Sequence, residues 1–118
     1  QRASGKVLRA FSVPAEAGLE AVREKLWAVS YGERDPETAS AAAPVFGVTG
    51  ELQGALALSG PRQRLEPAEA MLSACRQVLE CARDATAALG GNVVRFPQSL
   101  ARLAEEGLGG EPDPVSRN

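Results

Sequence analysis

The sequence predicts an α/β (α+β) fold, in which an antiparallel sheet of about three strands carries helices packed against it. The chain has 118 residues, a length that suits one domain with a single core. Two segments, 39–46 and 51–59, have the pattern of strands and flank a turn with glycine at both ends. An apolar stripe of helical period then runs through 67–89.

Two helices are predicted before the sheet. Residues 4–11 form a short segment with one apolar side, and a Ser-Val-Pro sequence at 12–14 then provides a helix start. Residues 15–26 follow, with leucine and valine at helical spacing on one side and charged residues on the other. Each helix therefore has an apolar side to bury.

Three strands are predicted, at 27–32, 39–46 and 51–59. The Gly-Val-Thr-Gly sequence at 47–50 joins the last two, because glycine adopts positive φ at little cost. Pro44 has no N–H for a sheet ladder, so it indicates an edge position or a bulge near the end of its strand.

The helix at 67–89 has the clearest pattern in the chain, and it ends at a Gly-Gly pair. Its apolar stripe consists of Met71, Leu72, Cys75, Val78, Leu79, Ala82, Ala85 and Leu89. A shorter helix is predicted at 99–107. The segment 109–118 is polar and rich in Pro and Gly, so we expect it to be disordered.

The two cysteines, Cys75 and Cys81, fall within this long helix and point to different sides of it. They cannot form a disulfide with each other without breaking the helix. Free thiols suit a reducing compartment. Since we also find no signal peptide and no apolar run of transmembrane length, we expect a cytoplasmic protein with no membrane association.

The composition excludes several classes of function. The chain contains no His, which removes the commonest general base and the commonest transition-metal ligand. No serine or cysteine has an evident activating partner, so we expect no enzyme activity, no metal and no cofactor. The formal charge is −2 and no basic stripe is present, so we expect no direct binding to nucleic acid.

One face of the predicted sheet is rich in small side chains. On the third strand, Leu56 and Leu58 lie on one side, and Ala55, Ala57 and Ser59 lie on the other. Small side chains allow a helix to pack closely against a sheet. They also suit the floor of a small-molecule pocket, where hydroxyls and backbone groups orient a ligand. The spacing alone leaves both interpretations open and slightly favours close packing.

Three blocks of sequence resemble a known family. They are Ala3-Ser-Gly-Lys-Val-Leu-Arg-Ala10, Ala42-Ala-Pro-Val-Phe46 and Ala57-Leu-Ser-Gly-Pro61. Their order resembles the effector-binding domain of IclR-type bacterial transcription regulators, over about residues 3–91. The resemblance implies a GAF-like antiparallel sheet with flanking helices at 1–91, incomplete relative to the family. It leaves 92–118 as a largely irregular C-terminal extension.

The resemblance also implies a function and a site. Such a domain binds a small metabolite for a regulator whose winged helix-turn-helix binds DNA, and we expect that DNA-binding domain to be absent from this chain. The effector-binding positions fall at Ser30, Ser40, Ala57 and Ser59, where Ser40 and Ser59 would donate hydrogen bonds to a ligand oxygen. We expect a small organic acid or similar metabolite as effector, and self-association into a dimer or tetramer. The alternative is a degenerate dimerisation or interaction module that has no ligand.

The sequence departs from the family pattern at several positions. Leu26 stands where the family usually has Gly, and Gly47 where it usually has Asp. Ala57 stands where some members have Ser, so one hydrogen-bond donor is missing. No Lys or Arg falls on the small-residue positions of the two strands, although Arg34 could reach the site from the preceding loop. We therefore expect neutral hydrogen bonds to dominate ligand binding.

Overall fold

A computed structural model describes residues 3–10, 20–32 and 36–108, which confirm the α/β prediction. The elements are α1 (Ala3–Ala10), α2 (Glu20–Lys25), β1 (Ala28–Tyr31), β2 (Thr38–Phe46), β3 (Leu52–Pro61), α3 (Arg62–Leu65), α4 (Ala68–Ala88) and α5 (Arg95–Glu106). The expectations for 12–14, Arg34 and 109–118 lie outside the described residues. Within the described ranges, no helix is long and apolar enough to cross a membrane.

The three strands form one antiparallel sheet with β2 in its centre. β1 pairs only with residues 39–42 of β2, whereas β3 pairs along its whole length. Pro44 therefore lies beyond the end of β1, where no ladder bond toward that strand is required. A register shift follows directly, between Val45 and Phe46. β2 is the central strand, but Pro44 lies at a local edge because β1 does not reach it, and a bulge follows it, as the sequence indicated.

The turn between β2 and β3 uses one of its two glycines in the left-handed region. Gly50 has a φ of 84°, and its N–H donates to the Gly47 carbonyl over 3.0 Å. Gly47 does not have a positive φ, so our expectation for the pair was right for Gly50 only. The Glu51 carboxylate accepts hydrogen bonds from the Thr49 hydroxyl and from the Gln53 amide. These bonds, the Thr49 hydroxyl first, lower the pKa of Glu51.

Helix α4 covers one face of the sheet. The β2 residues that face it, in the same buried cluster as the helix, are Ala39, Ala41, Ala43 and Val45. The buried residues of α4 are Met71, Ala74, Cys75, Val78, Leu79, Ala82 and Thr86. The stripe predicted from the sequence is thus covered within one subunit, except at Leu89, which is 52% exposed just beyond the helix end.

Helices α1 and α2 cover the opposite face. A second buried cluster joins Ala3 and Val7 of α1 and Val22 of α2 to Ala28 of β1 and Ala42 of β2. The β2 strand is therefore covered on both faces, and every residue from 39 to 45 is buried. Side chains this small bury little apolar area each, so stability depends on how closely the two helix layers approach the strand.

A side-chain hydrogen bond fastens the end of β2 to α4. The backbone N–H of Phe46 donates to Oγ1 of the fully buried Thr86 over 3.1 Å. In the turn after α4, the N–H of Gly91 donates to the Thr86 carbonyl over 2.8 Å. A Cβ at Gly91 would lie 2.8 Å from the carbonyl oxygens of Phe46 and Gly47, so this close approach requires glycine.

The segment after α4 is more ordered than the sequence indicated. We expected 92–118 to be largely irregular, but α5 is a regular helix that begins before the predicted start at 99. It buries Phe96 and Leu103 in the same cluster as α4. Pro97 lies in its first turn, where the missing N–H is tolerated. This part of the extension therefore contributes to the core.

The two cysteines face different sides of α4, as their spacing predicted. Both are free thiols, with Cys75 buried and Cys81 exposed. Burial raises the pKa of the Cys75 thiol to about 12, so that thiol stays protonated and unreactive near neutral pH.

Leu26 joins α2 to β1 in an unusual backbone conformation. Its φ is 71°, and its N–H donates to the Val22 carbonyl over 2.8 Å. A residue with a Cβ pays about 1–2 kcal/mol in this left-handed region. The side chain is fully buried, and this burial offsets the backbone strain.

We expect Leu26→Gly to be at least as stable as Leu26→Ala, although both are less stable than the parent chain. Each loses the buried side chain, at about 2–5 kcal/mol for Leu→Ala, but only the glycine variant relieves the strained φ. Urea unfolding measures the difference. The control is Ala101→Gly on the exposed side of α5, which should lose about 0.5–1 kcal/mol. If Leu26→Gly has a lower free energy of unfolding than Leu26→Ala, by the margin that the control loses, backbone strain at Leu26 would be contradicted.

Candidate functional site

The sheet face beneath α1 carries two rows of small side chains that cross all three strands. The register aligns Ser30, Ser40 and Ser59 in one row. The neighbouring row consists of Ala28, Ala42 and Ala57. The four positions predicted to bind an effector therefore share one face and lie in adjacent rows.

Helix α1 closes the part of this face formed by β1 and β2. Ala3 and Val7 are fully buried there, against the alanine row. Ser30 and Ser40 are each 5% exposed, and their Oγ atoms form a hydrogen bond of 3.1 Å. In this bond one hydroxyl donates and the other accepts, which lowers the penalty for burying the pair. On these two strands the small residues serve close packing.

On β3 the same face is covered at Ala55, which packs against the α1 cluster, but not at Ala57 and Ser59. Ala57 and Ser59 are exposed, and Ala55 is half-buried. Ser59 thus provides the accessible hydroxyl of the serine row, whereas its cross-strand partner Ser40 is buried. The two serines expected to act together are neighbours, but they stand in different environments.

The sequence reasoning missed a cation at this face. Lys6 of α1 donates from Nζ to the carbonyl oxygen of Val29, the residue before Ser30, over 2.7 Å. The sequence analysis considers the strand positions and Arg34 of the loop, whereas Lys6 approaches from the covering helix α1. The sequence does contain a pattern that places Lys6 on the buried side of α1: Ala3, Lys6 and Val7 occupy positions i, i+3 and i+4 and so share one side of the helix.

The chemistry of this face comes from serine hydroxyls and one ammonium group. The Ser30–Ser40 hydroxyl pair has no imidazole to activate it, since the sequence contains no His. In the described part of the chain, no group of three or more His, Cys, Asp or Glu could hold a metal ion. What the face offers is an exposed hydroxyl, small neighbours and one ammonium group nearby.

The sequence matches the family described as bacterial transcriptional regulator IclR C-terminal over residues 13–87. The matched segment includes α2, the whole sheet, α3 and nearly all of α4. Among curated proteins, no sequence matches this chain.

Several solved structures share this fold, three of which are compared with this chain. A protein assigned as an IclR transcriptional regulator of a Silicibacter species has a TM-score of 0.68 and 23% identity, covering 77% of this chain and 45% of that one. The C-terminal domain of a Vibrio cholerae transcriptional regulator has a TM-score of 0.60 and 26% identity, covering 70% of this chain and 60% of that one. The C-terminal domain of Escherichia coli KdgR has a TM-score of 0.55 and 26% identity, covering 61% of this chain and 43% of that one. This chain spans less than two thirds of the length of each of them.

We expect Ser30→Ala and Ser40→Ala to be coupled in their effects on stability. Either single substitution leaves the other hydroxyl buried without that partner, at a cost of about 1–3 kcal/mol. The double variant removes both hydroxyls, so it should lose less than the sum of the two single losses. Urea unfolding of the four chains completes the cycle, and strict additivity would contradict a direct bond between the hydroxyls.

Proposed function

Because this chain belongs to the bacterial IclR C-terminal domain family, we propose that it is the effector-sensing domain of a cytoplasmic transcription regulator. The effector we propose is a small organic acid or similar metabolite, and contact with DNA we assign to other parts of such a regulator. The observation that carries the proposal is the serine row on the sheet, whose Ser59 is exposed. A hydroxyl among small side chains offers a polar contact with room above it for a ligand.

Binding at this face would depend mainly on neutral hydrogen bonds. Ser59 would donate to a ligand oxygen, and Ala57 would leave space beside it. Ser30 and Ser40 are buried under α1, so their hydroxyls would contact a ligand only if α1 moved away from the sheet. Each neutral hydrogen bond contributes about 0.5–1.5 kcal/mol, which favours modest affinity. The positive charge of Lys6 beside Val29 favours an acid over a neutral metabolite.

A second candidate function is self-association without a ligand. It is favoured by the closed state of half the face, where α1 covers β1 and β2 and the two serine hydroxyls bond to each other. In that case the small residues serve packing throughout, and the domain contributes to the regulator only as an oligomerisation unit.

We expect some member of a panel of small aliphatic and aromatic carboxylic acids to raise the melting temperature of the chain, since a ligand of the folded state stabilises it. Ser59→Ala should weaken binding of that acid by about tenfold or less, because it removes one neutral hydrogen bond. Calorimetric titration of the parent chain and the variant measures the two dissociation constants.

The matched control is Ser73→Ala on α4, whose hydroxyl accepts a hydrogen bond from the Gln77 side chain. This variant should bind the acid as the parent chain does. A panel that produces no shift, or an acid that Ser59→Ala binds unchanged, would reject the proposed site and favour the ligand-free module.

A further inference from the structure

The two helix layers differ in how firmly they are attached to the sheet. Helix α1 has eight residues, and among the side chains described in it, Ala3 and Val7 are the buried ones. A helix this short is unstable in water without tertiary packing, and Gly5 in its interior weakens it further. Helix α4 on the opposite face has 21 residues, seven of which are buried. The weaker attachment is therefore that of α1.

One polar contact adds to the apolar anchors of α1. The Lys6 ammonium donates to the Val29 carbonyl over 2.7 Å, which fixes the helix to the strand that carries Ser30. A hydrogen bond of this kind is lost once donor and acceptor separate beyond about 3.5 Å. It therefore stabilises α1 against the sheet and contributes nothing once the helix has moved away.

The helix hides the polar groups that a ligand at Ser59 would meet next. Ser40 is the cross-strand partner of Ser59, and Ser30 follows on β1, with neighbouring strands about 4.8 Å apart. The bond between Ser30 and Ser40 uses one hydroxyl hydrogen, so the other hydroxyl of the pair can still donate to a ligand. The cover ends between Ser40, which is 5% exposed, and Ser59, which is exposed. Displacement of α1 would extend the accessible row from one serine to three.

We propose that α1 is a gate over the Ser30–Ser40 pair, and that the bond from Lys6 to Val29 keeps it closed. The gate rests on the proposed function, because it adds two buried hydroxyls to the effector site at Ser59. Helix α1 leaves the sheet while α4 stays packed, since segments that bury little apolar area open at the lowest free energy. A ligand that contacts the serine pair binds only the open state, so it shifts the population toward that state.

The closed state lowers the affinity for such a ligand. When the open state is a minor fraction, the apparent dissociation constant is the intrinsic one divided by that fraction. A variant that loosens α1 without changing the sheet should therefore tighten binding by the same factor by which it raises the open fraction. Val7→Ala is that variant, because it removes buried surface from α1, retains the charge of Lys6 and keeps a good helix former.

The test measures opening through a thiol placed beneath the gate. Ser40→Cys replaces a buried hydroxyl oxygen by sulfur, and Cys81→Ser removes the exposed native thiol. Cys75 stays as an internal control, because it is buried on the opposite face under α4. Iodoacetamide alkylates each thiol when its own layer opens, and mass spectrometry of the peptides gives both rates in the absence of any ligand. Every further variant is made in this background, so each thiol serves as its own reference.

We expect Lys6→Met and Val7→Ala each to accelerate labelling of the introduced thiol by about tenfold or more. The rate at Cys75 should change by less than about twofold, because α4 stays packed. The matched control is Lys25→Met, since the Lys25 ammonium lies over the Trp27 ring, 5.1 Å from its centroid, and not on α1. This variant should leave labelling of the introduced thiol unchanged.

A second measurement uses calorimetric titration with the acids of the panel, including propionate and benzoate. Val7→Ala should bind the tightest of these acids more strongly than the parent chain, by the factor found in labelling. Equal acceleration of both thiols, an introduced thiol that neither α1 variant accelerates, or an acid whose affinity Val7→Ala leaves unchanged would overturn the gate. If no acid of the panel binds, the proposed function fails, whereas the labelling rates still decide whether α1 opens by itself.

Discussion

The packing of both helix layers depends on the small side chains of the central strand β2. Ala41 and Ala43 face α4 and Ala42 faces α1, and all three are fully buried. Because alanine adds little volume, both helices lie close to the strand. A larger side chain at these positions would have to displace a helix, which typically costs about 1–3 kcal/mol. The small residues of β2 therefore contribute to stability less through their own buried apolar area than by allowing α1 and α4 to pack closely against the strand.

The parts of the fold that sequence could predict are those encoded by residues close together in the chain. The stripe of α4 and the turn between β2 and β3 follow from periodicity and turn chemistry. The shared face of Ala57 and Ser59 follows from the two-residue period of a strand. The three resembling blocks pointed to the IclR family, which the match over 13–87 confirms.

The rest depends on contacts between residues that are distant in sequence. The burial of Ser40 and the exposure of Ser59, two cross-strand partners, depend on where α1 lies. The bond from Lys6 to Val29 spans 23 residues, and no local pattern encodes it. The start of α5 was missed because Pro97 lies in its first turn, where proline fits a helix but also resembles a loop signal.

One measurement tests this packing most directly, because two alanines of one row differ only in what covers them. Ala42 and Ala57 are cross-strand partners on the same face, but Ala42 is fully buried under α1 and Ala57 is exposed. We expect Ala42→Val to lower the free energy of unfolding by about 1–3 kcal/mol, and Ala57→Val to change it by no more than about 0.5 kcal/mol. Urea unfolding of dilute samples gives both values. Equal effects at the two positions would contradict a face that α1 closes over Ala42 and leaves open at Ala57.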